Sequence, residues 1–289
     1  MLTICVPICI GLTIGCGDDL LQLSKRAVLT NDTANAGAAT FSPDGTKIAR
    51  ELHGGIVVWD AKTGKKMSEL VEAYNVHSLE FSHDNKLIAN GTWNAVKVWD
   101  VRSGKLMQSF ALSKPTGNSW QVNDVHFTQD NKGIICAAWD KSERGQVFVG
   151  DLKTGKILQK ITFDAPWFVT VACYPGEKEL AVAYGDKISW WDIKGPTFSK
   201  TVQVKDETSD TALGILQLAV HPNGKLLVSG LYRVYIIGTD RNPRATNIRH
   251  QFVGIREGGK TLVTYDTGLY ELHIVLAQSS SGIVEPGFV

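Results

Sequence analysis

The sequence has 289 residues, 43% of them hydrophobic and 20% charged, and its thirty basic and twenty-nine acidic side chains leave a net charge of +1. That composition supplies a core and excludes wholesale disorder; the lack of a long run of either sign argues against a general polyanion-binding surface, so nucleic acid is not expected as the partner. Of the five cysteines, Cys5, Cys9 and Cys16 lie in the first sixteen residues, and neither a disulfide framework nor a metal-type Cys-x-x-Cys spacing is present.

Residues 1–15 carry no charge and are mostly apolar. The stretch is too short to span a membrane, is interrupted by Pro7, and reads as a signal segment over residues 1–16. Its end, Leu12-Thr13-Ile14-Gly15-Cys16, resembles the lipobox of bacterial lipoproteins, which implies lipidation at Cys16, export, and a place in the cell envelope. The alternatives are an uncleaved secretory segment, a misplaced start, or an apolar arm packed on a cytoplasmic domain.

Further along, one turn element recurs. It reads Phe41-Ser42-Pro43-Asp44-Gly45, Phe81-Ser82-His83-Asp84-Asn85 and Phe127-Thr128-Gln129-Asp130-Asn131, with looser copies at Cys173-Tyr174-Pro175-Gly176-Glu177, Val220-His221-Pro222-Asn223-Gly224 and Ile255-Arg256-Glu257-Gly258-Gly259. The first positions are 40, 46, 46, 47 and 35 residues apart, a period that suits one four-stranded sheet per repeat. Pro, Asp or Asn, and Gly are the residues a tight turn needs, so strands are predicted on both sides of each copy. An apolar stretch such as Lys86-Leu87-Ile88-Ala89 follows, then an alternating one such as Val96-Lys97-Val98-Trp99-Asp100, which predicts a strand with one buried face. A second turn closes each of the first three units: Asp60-Ala61-Lys62-Thr63-Gly64-Lys65, Asp100-Val101-Arg102-Ser103-Gly104-Lys105 and Asp151-Leu152-Lys153-Thr154-Gly155-Lys156.

The pairs Trp59-Asp60, Trp99-Asp100 and Trp191-Asp192, each preceded by such a turn, resemble the WD-repeat family over roughly residues 24–275. The resemblance implies an all-β fold: a β-propeller of about six four-stranded antiparallel blades, with seven as the alternative, over residues 24–277. It places each Trp between neighbouring sheets and each Asp in a turn. The Gly-His dipeptide of many family members is missing, so their hydrogen-bonded network is expected to be absent and apolar packing to hold the blades. The last unit runs out after a third strand near Leu276, and residues 25–30 are expected to close the ring with the missing fourth. Residues 278–289, rich in Ser and Gly, read as a flexible tail.

On a propeller of this type the loops joining second to third strands share one rim. Twelve residues beyond the first position of each turn stand His53, Trp93, Trp139, Gly185, Tyr232 and Thr267, while Trp120, Trp167 and Tyr74 fall in the other loops of that rim. Exposed aromatic rings anchor protein interfaces well, since they bury much area at small entropic cost. The candidate partner-binding residues are Trp93, Trp120, Trp139 and Trp167, with Tyr232, Arg50 and Arg233 as polar partners; the alternative for any one Trp is that it packs the top of its own blade. The charged loop Asp140-Lys141-Ser142-Glu143-Arg144-Gly145 is a candidate specificity element or a solvated hairpin.

Phosphate-loop, zinc-helix and Ser-hydrolase motifs do not occur, so no catalytic residue, metal ligand or cofactor is assigned. His77 and His126 sit in predicted first strands and read as hydrogen-bonded structural residues, the alternative being that both face the channel and meet a ligand. Cys136 and Cys173 read as free core thiols, the alternative being a bridge between them in an exported protein. The expected function is a non-catalytic scaffold for a protein or peptide, touching membrane only through a lipid at Cys16; the rival is a propeller enzyme or a sugar- or cofactor-binding propeller. Carboxylates and histidines from several blades around one channel would favour the rival.

Overall fold

The computed structural model describes residues 38–276 apart from 53, 72–75, 113–118, 166–167, 175, 177, 196, 205–213, 221–224, 231–233, 239, 246–250, 257–260 and 266–273. Every regular element among them is a strand. Blade one holds β1 (Ala39–Phe41), β2 (Lys47–Leu52), β3 (Gly55–Asp60) and β4 (Lys66–Val71), and blade two β5 (Ser78–Phe81), β6 (Leu87–Gly91), β7 (Ala95–Asp100) and β8 (Leu106–Ala111). Blade three holds β9 (Trp120–Phe127), β10 (Gly133–Asp140), β11 (Arg144–Asp151) and β12 (Ile157–Asp164), and blade four β13 (Val169–Cys173), β14 (Glu179–Tyr184), β15 (Lys187–Asp192) and β16 (Phe198–Gln203). Blade five holds β17 (Ile215–Val220), β18 (Leu226–Gly230), β19 (Val234–Ile237) and β20 (Pro243–Ala245); the sixth sheet holds β21 (Gln251–Arg256), β22 (Thr261–Tyr265) and β23 (Ile274–Leu276).

Within each sheet the strands pair antiparallel in chain order, as short turns between consecutive strands require. Each blade's first strand touches the next blade's first strand, from β1 to β5, β9, β13, β17 and β21, so these strands form the inner wall of the propeller. The apolar residues gather between the blades. Ile56, Val58 and Leu70 of blade one meet Ile88 and Trp99 of blade two. Val98 and Phe110 of blade two meet Trp120, Cys136 and Phe148 of blade three, and Trp191 of blade four packs on Val147 and Val149 of blade three. Trp190 and Ile188 of blade four meet Leu226, Val228 and Tyr235 of blade five. A blade exposes apolar surface on both faces and hides it only by stacking, which is why the repeat must recur to fold. Trp99 and Trp191 thus lie between sheets, as the Trp-Asp resemblance implies.

The turns explain the repeat's polar residues. The Asp60 carboxylate accepts the Thr63 amide and hydroxyl, both at 2.7 Å, which hold it below the usual carboxylate range, and Asp100 with Ser103 and Asp151 with Thr154 repeat the arrangement. Gly64, Gly104 and Gly155 then adopt φ of 68°, 69° and 70°, a region any other residue enters only with strain. In the first-to-second-strand turns Asn85 and Asn131 replace Gly45 at positive φ, and each gains a bond the glycine lacks: Asn85 Oδ1 accepts the Asp44 amide at 3.2 Å and Asn131 Oδ1 the His83 amide at 2.8 Å, both across a blade boundary.

Among the described residues five sheets are four-stranded and the sixth shows three strands, ending at Leu276. The closing strand expected at residues 25–30, the signal segment expected over residues 1–16 with Cys16, and the flexible tail expected at 278–289 all fall outside the described residues. One expectation is corrected. Apolar packing is not alone in joining the blades, because polar groups on the inner strands bridge them as well, as described next.

Candidate functional site

The second-to-third-strand hairpins mark one end of the propeller, here the hairpin end. In blade two this hairpin is fastened to blade three: the Asn94 amide donates to the Trp120 carbonyl at 2.7 Å, the Trp120 amide to Asn94 Oδ1 at 2.8 Å, and the Val122 amide to the Thr92 carbonyl at 3.2 Å. Asn94 makes this possible by adopting a φ of 60°. Gly91 lies so close against Val122 that a Cβ would collide with it, so only glycine lets the two blades approach here.

Trp93 stands at the tip of that hairpin with 37% of its surface exposed, and its ring meets the edge of His77 at 5.2 Å. Burial lowers the pKa of His77, which favours its neutral imidazole. Trp93 bridges to Gln121 on β9, and Gln121 lies opposite Trp139 on β10. Directly opposed residues of antiparallel strands point to the same face, so Trp93, Gln121 and Trp139 form a row. Trp139 is half-buried, donates its indole N–H to the Ala165 carbonyl at 3.0 Å, and meets Phe168, which is 46% exposed, at 6.1 Å between ring centres. The row therefore runs over the hairpin end from blade two to the start of blade four, with Trp93 and Phe168 as its exposed members.

The other candidates fall elsewhere. Trp120 is 2% exposed and packs in the core between blades two and three under the Arg144 guanidinium, so it takes the packing role and offers a partner no surface. Arg50 lies in mid-strand on β2, on the sheet face opposite the Ala49 and Val58 set that meets blade two, rather than at the hairpin tip. Trp167, Tyr232, Arg233 and Cys16 lie outside the described residues, as do His53 and Tyr74. The charged loop of blade three is a self-contained hairpin: the buried Asp140 accepts from the Ser142 and Arg144 amides and pairs with the Arg144 guanidinium at 2.6 Å. Sequence reading passed over Phe168 and Gln121. Nothing in either residue type singles them out, since only strand pairing brings them beside the two indoles.

A polar cluster on the inner strands was also missed as a unit. Glu80 of blade two accepts the Phe127 amide at 2.7 Å and lies 2.9 Å from His126 Nδ1 of blade three. Asp124, two residues earlier on β9, lies 3.1 Å from His126 Nε2 and accepts the Val171 amide at 3.0 Å and the Thr170 hydroxyl at 2.7 Å, both from blade four. Burial by itself lowers the His126 pKa, but the Asp124 and Glu80 carboxylates outweigh it and push the imidazole well above its usual value. Burial acts on Asp124 in the opposite sense and is likewise outweighed, by His126 and by the donors of blade four, so its carboxyl is held low. Chemically the cluster is a staple: each carboxylate ties one inner strand to the next blade's backbone, and both imidazole nitrogens face a carboxylate. No group of His, Cys, Asp and Glu suited to a metal ion occurs among the described residues. Cys136 is buried between blades two and three and Cys173 lies between blades three and four, so the thickness of blade three separates these two thiols and no disulfide joins them.

Residues 18–156 match the family model described as Nucleolar protein 10-like, N-terminal domain, a β-propeller model that covers just under half of the chain. No curated protein matches the chain. The stacked four-stranded sheets, the Trp-Asp pairs ending their third strands and this match together make the chain a β-propeller of the WD-repeat type.

Proposed function

We propose that the protein is a non-catalytic scaffold that binds a protein or peptide on the hairpin end of blades two to four. The observation that carries this reading is the row from Trp93 through Gln121 and Trp139 to Phe168: one exposed ring stands on a hairpin that is itself bonded to the next blade, and the other, at the start of blade four, packs on Trp139. A rigid aromatic surface loses little freedom on binding, which is what makes such rings effective anchors. The Glu80–His126–Asp124 cluster supports the same reading, because its groups are engaged in joining blades rather than poised for proton transfer.

The test is a peptide-display library panned on the full chain and then on W93A/F168A. The expected result is enriched peptides whose affinity falls about tenfold or more in the variant, as loss of two anchors implies, with the melting temperature kept. Peptides that bind both proteins equally would contradict the reading. Tethering through Cys16 belongs to the same proposal: an alkynyl fatty acid fed to cells that make the full chain should label the protein and spare Cys16→Ala.

A further inference from the structure

The opposite end of the propeller, where first meet second and third meet fourth strands, carries a pattern that folding does not explain. In blades one to three the outer strand begins with a β-bulge. Trp59 pairs Lys66 while Val58 pairs Ser68, Trp99 pairs Leu106 while Val98 pairs Gln108, and Gly150 pairs Ile157 while Val149 pairs Gln159. The residues left over are Met67, Met107 and Leu158, which are 50%, 58% and 58% exposed. Blade four has the same bulge, with Trp191 pairing Phe198 and Trp190 pairing Lys200, and there the extra residue is Ser199, whose hydroxyl donates to the Trp190 carbonyl at 3.0 Å. The bulge therefore needs no apolar side chain, and three large exposed ones at one address are surplus to the fold.

Charge follows the same period. Each adjoining turn presents two exposed cations, Lys62 with Lys65, Arg102 with Lys105, and Lys153 with Lys156, against one aspartate whose carboxylate is turned onto the turn's own amide and hydroxyl. Blade four again departs from the pattern, with Lys194 as the one cation of the Asp192 to Gly195 turn. Among the described residues the basic, apolar pattern thus runs over blades one to three and stops at blade four, in a chain whose net charge is only +1.

We infer that this face docks on an anionic lipid bilayer. The step from blade to blade repeats the same address along one arc at one end of the ring, so a partner must be flat across three blades to meet all three side chains, and a bilayer is. Long flexible apolar side chains entering the interface beside Lys and Arg are the arrangement that peripheral proteins use on anionic lipid. Strand addition is disfavoured, since a bulge at the start of each outer strand breaks the edge a new strand would need. The face lies at the end opposite the aromatic row, so bilayer and protein partner can be held together.

The experiment is co-sedimentation of the full chain with phosphatidylcholine vesicles, with and without phosphatidylserine. Binding is expected to rise with phosphatidylserine, and that added binding is expected to fade with salt and to weaken about tenfold or more in M67S/M107S/L158S. That variant should keep its melting temperature, because Ser199 occupies the same bulge natively. Any contribution from the apolar start of the chain is the same in both proteins and cancels. Equal sedimentation with neutral vesicles, or equal binding by the triple variant, would overturn the inference. So would capture of a polyglutamate peptide, sensitive to the triple variant, by a protein that ignores the vesicles, since that result assigns the face to an acidic protein.

Discussion

The two ends of this propeller are made from the same hairpins but hold opposite chemistry. At the turn end, blades one to three repeat one motif almost residue for residue, and the motif's Asp, Thr or Ser, and Gly are consumed in making the turn. At the hairpin end the equivalent address changes from Trp93 to Trp139 to Gly185, and the rings there are not needed to close a turn. Repetition marks what the fold requires, and variation marks where a partner can be specified. The exceptions sharpen the point: Met67, Met107 and Leu158 repeat without being required, which singles out the turn end as a second surface.

The largest expected effect would show that two tryptophans only twenty-seven residues apart, Trp93 and Trp120, have different duties. Trp120→Ala should cost about 3–5 kcal/mol of stability, as for other large core rings, while Trp93→Ala on the hairpin above it should change the unfolding midpoint little. Denaturant titration of both variants checks this, and equal losses would erase the distinction between core and rim.

The inner-strand staple comes next. Asp124→Ala leaves the Thr170 hydroxyl and the Val171 amide without their acceptor, at about 1–3 kcal/mol for each donor that water does not reach. It also removes a partner of His126, so the pH profile should change. With its folded pKa raised above 6.5, His126 contributes stability that is complete below 6.5 and is lost as pH rises through the higher folded value. Asp124, held below 3.8, contributes stability present above that value and lost as pH falls through the lower folded one. His126→Gln should therefore flatten the alkaline side of a plot of melting temperature against pH and leave the acid side in place. A profile unchanged on the alkaline side would show that the imidazole is not charged in the fold.

The smallest effect concerns the turns. Asn131→Ala should cost about 1–2 kcal/mol, since an alanine pays for the left-handed conformation and the His83 amide loses its acceptor, whereas Asn131→Gly should lose only the bond to blade two. Parallel melts of the two variants separate the terms, and equal losses would mean that the backbone angle carries no strain.

The sequence exposed the architecture because turn chemistry is local. Phe-Ser-Pro-Asp-Gly and Asp-Ala-Lys-Thr-Gly-Lys declare themselves within a few residues, and their period counts the blades. It exposed the site less well, because a rim is made by neighbours distant in the chain. Trp93 and Trp139 are 46 residues apart and meet through Gln121, Phe168 joins them from another blade, and Trp120 has the right residue type yet is drawn under the hairpin by its bonds to Asn94. The staple was hidden for the same reason: Glu80, Asp124 and Thr170 each look like ordinary strand residues until three inner strands are set side by side.

The central claim, that the aromatic row is where a partner sits, is tested most directly by site-specific photocrosslinking in the producing cells, with a benzophenone side chain at position 93 and, as control, at Gln159 on the outer strand of blade three. The account predicts a discrete protein adduct from position 93 that is missing from position 159. Adducts from 159 alone, or the same adducts from both, would contradict it.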